Sequence, residues 1–311
     1  MFQENKKNPL IWTKCGKNID IDRKVIVMLY EIKNEKLKIS ADTFGAELHS
    51  IFFDGIEYLW QCGEAWKRYA PILFPFICAP SEKKYLVDGK EYQMKANHGF
   101  ARDMEFSFLH QSENELAFEL TANAETLAQY PFRFRFEIAY QLLDDGVEVK
   151  HIVENIDNKP IYFYLGGHPA FQCPIGNDGE FSDYYVEYEK PEHLNHQNGI
   201  EVTELIEGRI LPMSRELFDY DSIILPSPNS HKISLKSEKS VHSVTLEFPE
   251  SDCITVWSAT GDDRAKFVCL EPWTSVPTDF DNAEPELSKK EHAISLDAGK
   301  QFSYAYRIHV R

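Results

Sequence analysis

The chain has 311 residues, with 33 Lys and Arg against 50 Asp and Glu, and its formal charge of -17 would repel a phosphate backbone, which argues against a nucleic-acid partner. Apolar residues at 43% and aromatics at 13% are enough for a sizeable core and exclude a disordered chain. There is neither an apolar run of about 18 residues nor a signal-type opening, so no membrane span and no secretion are expected, and six scattered cysteines (Cys15, Cys62, Cys78, Cys173, Cys253, Cys269) without CxxC spacing read as reduced thiols of a cytoplasmic protein.

Residues 1–27 are polar and weakly patterned, with Lys6, Lys7, Asn8 and Pro9 near the front, and are expected to form a dispensable N-terminal extension. A single domain, 28–311, then begins at Met28, and its hydrophobic period is two. Strands are predicted over 29–32, 37–41, 47–53, 72–77, 106–109 and 117–121, most bounded by Gly, Pro, Asn or Asp. A short helix is predicted over 124–129. Phe132, Phe134, Phe136, Ile138, Tyr140 and Leu142 then alternate with Arg133, Arg135, Glu137, Ala139 and Gln141, so the aromatics fall on one sheet face and most charges on the other. Asp144-Asp145-Gly146 supplies a tight turn into a second strand from Val147 to Asn155. After a strand over 161–165, the segment 176–208 is the most polar part of the body and is expected to be a long excursion over the sheet. A helical turn near 215–218, strands over 244–248, 254–258 and 266–270, and a closing strand carrying Phe302, Tyr304, Tyr306, Ile308 and Val310 complete the pattern. Nothing alternates strand with helix, so a doubly wound parallel sheet is disfavoured and an all-β fold of stacked, mostly antiparallel sheets is expected.

Three segments place a polar residue inside apolar, strand-like sequence: Asn97-His98-Gly99-Phe100, Gly166-Gly167-His168-Pro169-Ala170-Phe171 and Leu270-Glu271-Pro272-Trp273. Glycine allows close backbone approach and proline cannot donate to a ladder, so each imidazole is left at a strand end. The carboxylate of Glu271 beside a tryptophan is either desolvated, with a raised pKa, or turned out to water. Arg68, before the apolar run Ala70-Pro71-Ile72-Leu73-Phe74-Pro75, is either an ion-pairing surface residue or a donor to ligand oxygens. Two imidazoles and one carboxylate make a candidate acid/base site if the fold brings them together.

Gly45-Ala46-Glu47-Leu48, Glu57-Tyr58-Leu59-Trp60, Ala70 to Pro75, His98-Gly99-Phe100-Ala101-Arg102, Gly167 to Phe171 and Leu270 to Trp273, in this order, resemble the aldose 1-epimerase (galactose mutarotase) superfamily, specifically its LacX-like branch. The resemblance runs from about Met28 to Arg311. It implies a β-supersandwich, an open cleft, and exchange of the α and β anomers of a free aldose without a metal or organic cofactor. By matching motif, Glu271 would be the general base at the anomeric hydroxyl and His168 the general acid at the ring oxygen. His98 and Arg68 would bind sugar oxygens, Asp221 would stand for an aspartate of the family that lacks a clean counterpart, and Trp273 and Phe100 are candidates to stack on the sugar. Two departures stand out: Cys78-Ala79-Pro80-Ser81 where the family often carries a glycine, and Thr274 to Asp279 in place of a glycine-containing turn.

The chemistry itself needs this set of groups. Opening a cyclic hemiacetal removes a proton from O1 and delivers one to the ring oxygen, and each positioned transfer contributes about 10²–10⁴-fold. Rival readings are a sugar-binding protein without catalysis, a sugar-phosphate mutarotase drawing on Arg68, Arg102 and Lys67, and a zinc enzyme built on His98, His168 and Glu271. The cluster His193-Leu194-Asn195-His196 lacks the spacing and glutamate of a zinc-protease helix. The partner expected is a monosaccharide, and the oligomeric state is left open.

Overall fold

The computed structural model describes residues 10–12, 27–194, 205–281 and 283–311. Most of the expected N-terminal extension, with Cys15, and the histidine at His196 lie outside them. Within that extension, Leu10–Trp12 pairs antiparallel with Val27–Lys33.

The fold is all-β. A nine-stranded antiparallel sheet runs, in spatial order, Ile210–Pro212, Tyr184–Tyr188, Lys232–Ser237, Val244–Glu247, Gln301–Val310, Gly146–Asn155, Phe134–Leu142, Glu115–Thr121 and Ser107–Gln111. A six-stranded sheet runs Ile223–Pro226, Cys253–Trp257, Phe267–Trp273, Gly166–Gly167 and Ile72–Leu73, with Ala170–Gln172 also paired to Phe267–Trp273. A five-stranded sheet joins Leu10–Trp12, Val27–Lys33, Leu37–Asp42, Leu48–Phe53 and Ile56–Glu57.

The period-two pattern shows why the sheets stack. In Phe134–Leu142 the residues Phe134, Phe136, Ile138, Tyr140 and Leu142 are buried while Arg135 is exposed, and the register sets Phe136 against Val153 and Tyr140 against Val149 across the hairpin. Leu143 N–H donates to the Gly146 carbonyl at 2.8 Å, closing the predicted turn. The buried face meets the six-stranded sheet through Phe74, whose ring stacks on Phe136 at 4.4 Å and meets Phe134 edge-on at 5.1 Å. Burying each such ring is worth roughly 1.5–3 kcal/mol.

Three sequence expectations are corrected. The strand expected over 72–77 stops at Leu73, where Pro75 has no N–H to give to a ladder. The strand expected over 266–270 continues through Glu271 to Trp273. The polar stretch 176–208 is not solely an excursion: Tyr184–Tyr188 lies inside the large sheet between Ile210–Pro212 and Lys232–Ser237, with Tyr184, Val186 and Tyr188 buried. Among the described residues no helix is long and apolar enough to cross a membrane.

Candidate active site

Sheet register puts His168 beside Glu271. Gly166 pairs with Trp273, and Ala170 pairs with Cys269, so the same register places His168 opposite Glu271, on the same face. Pro169 interrupts the ladder between the two paired stretches, yet its carbonyl still accepts from Leu270 N–H at 3.2 Å and His168 N–H donates to the Pro71 carbonyl at 3.0 Å. On the other side of the strand Thr255 pairs with Glu271. Thr255, Glu271 and His168 therefore form a row across the sheet, all buried at 0, 2 and 6% exposure.

The two glycines before His168 are required by what flanks them. A Cβ on Gly166 would sit 2.6 Å from the Trp273 ring, and one on Gly167 would sit 2.4 Å from the Tyr306 hydroxyl oxygen of the large sheet. His98 arrives differently. It adopts φ 63° and is followed by Gly99 at φ 73°, where a Cβ would lie 2.2 Å from the Phe74 carbonyl oxygen. Cys78 clasps His98 from both directions: its N–H donates to His98 Nδ1 at 3.0 Å and its carbonyl accepts from His98 N–H at 2.7 Å. Cys78 itself has φ 54°, a conformation that a glycine adopts freely.

His168 Nε2 lies 3.3 Å from Glu271 Oε2. His98 meets the His168 ring edge-on at 5.6 Å, Trp66 stacks on it at 5.1 Å, and Trp257 meets it edge-on at 5.6 Å. The imidazole thus stands in an aromatic box. Burial dominates its proton equilibrium, and with Arg102 and Arg68 nearby it pushes the pKa down to about 3. Burial pushes Glu271 well above the usual carboxylate range, reinforced by the Asp221 charge and opposed by Trp273 and Arg102. Burial thus favours the uncharged form of both members. His98 is likewise pushed well below the usual imidazole range, by burial first and then by Arg102, His168 and Arg68. With Nδ1 accepting from Cys78, a neutral His98 carries its proton on Nε2 and can donate from it.

The remaining polar atoms point to a hydroxyl-rich ligand. Apart from the two ring nitrogens of His151, the buried side-chain N and O atoms without a hydrogen-bond partner among the described residues are Arg102 Nε, His168 Nδ1, Thr255 Oγ1, Glu271 Oε2, Trp273 Nε1, Thr278 Oγ1 and Asp279 Oδ1. Each such atom costs about 1–3 kcal/mol while unpaired. His168, Glu271, Thr255 and Trp273 share one sheet face, Arg102 is electrostatically coupled to Glu271, and Asp279 is coupled to Asp221, which is itself coupled to Glu271. Donors and acceptors are mixed, as a polyol requires.

The sequence-predicted residues divide accordingly. His98, His168 and Glu271 converge. Arg68 reaches the same region but is engaged, Nη2 with Asp103 Oδ1 at 2.8 Å and Nη1 with the Arg102 carbonyl at 3.2 Å. Asp221, at φ 85°, is exposed on one side yet raises the pKa of Glu271 and Asp279, and partial burial raises its own against hydrogen bonds from Ser222 and Trp257. Phe100 is corrected: it is buried in the core among Phe74, Tyr130 and Phe134, with no face open to a sugar. Trp273 is corrected in part: at 1% exposure its ring cannot stack on a ligand, and what it offers is Nε1. Sequence reasoning missed Trp66, Trp257, Thr255, Thr278 and Asp279. It also missed the role of Glu47, a buried carboxylate whose Oε1 accepts from Tyr69 and Ala70 N–H at 2.7 and 3.0 Å and so fixes the segment bearing Trp66 and Arg68.

The family model described as aldose 1-epimerase matches residues 28–309. The plasmid-encoded protein LacX of Lactococcus lactis subsp. lactis is 29% identical over 301 residues, covering 88% of this chain and 97% of LacX. A galactose mutarotase-like protein from Lactobacillus casei has 33% identity and a TM-score of 0.82, with 91% of this chain and 100% of that one covered. A galactose mutarotase related enzyme from Lactobacillus acidophilus has 27% identity and a TM-score of 0.84, over 91% and 97% of the two chains. The chain belongs to the aldose 1-epimerase family, in its LacX-like branch.

Proposed function

We propose that the protein interconverts the α and β anomers of a free hexose such as galactose or glucose. The observation that carries the reading is the buried His168 and Glu271 pair, 3.3 Å apart, in which burial favours a neutral imidazole and a carboxyl that keeps its proton. Transfer of that proton from Glu271 to His168 yields a carboxylate and an imidazolium with no change in net charge. The carboxylate takes the proton of O1–H as the C1–O5 bond breaks and C1=O1 forms, while the imidazolium protonates O5. Rotation about C1–C2 and the reverse transfers close the ring on the other face, returning the pair to its starting state. No electron acceptor, metal or cofactor is needed to balance these steps. His98 Nε2–H, Arg102, Trp273 Nε1 and Thr255 supply partners for the sugar hydroxyls, while Asp279 accepts from them.

A phosphorylated sugar is the second reading, favoured by the proximity of Arg68 and Arg102; burial first, and then the Arg68 charge, push Arg102 down to about 10. Because Arg68 is paired with Asp103 and Asp221 and Asp279 add negative charge nearby, a neutral sugar is the better match. Polarimetry on freshly dissolved aldoses, with and without a 6-phosphate, tests both. Wild type should exceed the buffer rate, and Glu271→Gln and His168→Asn should each lose about 10²-fold or more. Absence of acceleration across the panel would leave a sugar-binding protein, and full activity in either variant would remove the assigned roles.

A further inference from the structure

Cys269 takes no part in the proton pair, yet it lies on the same strand face as Glu271, two residues away, and its backbone is fixed on both sides by pairing with Ala170 and Trp257. One ligand atom from each of His168, Cys269 and Glu271 lies within 4.8 Å of the others, and all three residues are buried. His168 Nε2 stands 3.3 Å from Glu271 Oε2, and that oxygen has no hydrogen-bond partner. We propose that these three side chains form a site for a thiophilic divalent cation, zinc by preference, and that an ion bound there blocks the acid/base pair.

The donor set and the spacing both argue for zinc. Sulfur, imidazole nitrogen and carboxylate oxygen together match its borderline softness, whereas calcium and magnesium demand oxygen shells. Bond lengths of about 2.0–2.3 Å in a tetrahedron separate ligand atoms by roughly 3.3–3.7 Å. His168 Nε2 and Glu271 Oε2 already stand at 3.3 Å, and the set that includes the Cys269 thiol closes within 4.8 Å. A thiolate and a carboxylate neutralise the ion, which suits a buried site. Three protein ligands leave one position open, so the ion exchanges and is held less firmly than a four-ligand structural zinc. Occupancy would consume the imidazole lone pair and the carboxylate that the exchange of protons requires. Only this inhibitory consequence rests on the proposed function; the binding itself does not.

The test uses the full-length protein treated with chelator and dialysed. Zinc is titrated calorimetrically and by equilibrium dialysis, cobalt is added as a spectroscopic probe, and mutarotation is followed with zinc and with EDTA. One zinc per chain, a near-ultraviolet sulfur-to-cobalt charge-transfer band, and loss of activity reversed by EDTA are expected. Cys269→Ala and Cys269→Ser should bind zinc at least tenfold more weakly, lose the cobalt band and match wild type in EDTA. Equal zinc affinity in wild type and both variants, or no band, would overturn the site. Activity that disappears with EDTA and returns with zinc would overturn the inhibitory role. If wild type accelerates no aldose, binding and the cobalt band still decide the site.

Discussion

The pH profile of the catalysed rate tests the shared proton most sharply. Unperturbed, an imidazole at 6.5 and a glutamate at 4.5 hold one proton between those two values, and the pair empties above 6.5. At pH 7.5 only about 9% of such pairs would retain the proton, a fall of about tenfold in rate from the plateau. In the folded protein His168 is pushed down to about 3, so at pH 5 a second proton occupies the pair in only about 1% of molecules. The alkaline loss then belongs to Glu271, which burial raises well above its usual range. The expected profile of kcat/KM, measured by polarimetry from pH 5 upward with the enzyme-free rate subtracted, therefore loses rate only on the alkaline side, through Glu271, and His168 contributes no inflexion near 6.5. A tenfold fall between pH 5.5 and 7.5 whose midpoint coincides with titration of the His168 ring protons followed by NMR would show that His168 titrates as an ordinary imidazole and would refute the argument from burial.

Three further predictions follow from particular packing contacts. His151 is fully buried among Phe136, Tyr304 and Tyr306, with both ring nitrogens unpartnered and its pKa pushed down to about 3 by burial, so His151→Leu should raise stability by about 1–3 kcal/mol at pH 7 in urea melts. Because a depressed imidazole loses stability as pH falls below the unfolded value of 6.5 toward 3, that advantage should widen by about 2.5 kcal/mol by pH 4.5; a constant difference would contradict it. Gly167→Ala would drive a methyl into the Tyr306 hydroxyl and should cost at least about 2 kcal/mol, part of which Tyr306→Phe recovers; equal thermal midpoints for wild type and Gly167→Ala would dismiss the close approach. Cys78→Gly should stay within about 1 kcal/mol of wild type and keep its activity, because Cys78 already has φ 54° and holds His98 through backbone atoms alone, so a large loss would mean the thiol matters.

How far the site could be read from the sequence depended on backbone constraint. His98, His168 and Glu271 were legible because glycine and proline mark where a chain must approach closely or leave a ladder, and those marks sit beside all three. The aromatic alternation from Phe132 to Leu142 likewise dictated a face. Thr255 carries no such mark, and Pro277 beside Thr278 and Asp279 does not single them out: what distinguishes all three is a buried polar atom without a partner, which exists only once the sheets are stacked. Phe100 and Trp273 misled because an aromatic beside a catalytic motif looks the same in sequence whether its ring lines a cleft or fills the core. Tyr184–Tyr188 alternates apolar and polar as a strand should, but the polar residues around it concealed a five-residue element.

The central claim is that one buried proton, passed between Glu271 and His168, opens and recloses the sugar ring. Exchange NMR between the α and β anomeric protons of an equilibrated hexose measures that event without coupling enzymes. Wild type should produce α–β cross-peaks whose build-up scales with enzyme concentration, and Glu271→Gln, isosteric and uncharged like the resting carboxyl, should fold normally and retain about 1% of that rate or less. Cross-peaks of wild-type intensity from a folded Glu271→Gln protein would contradict the account.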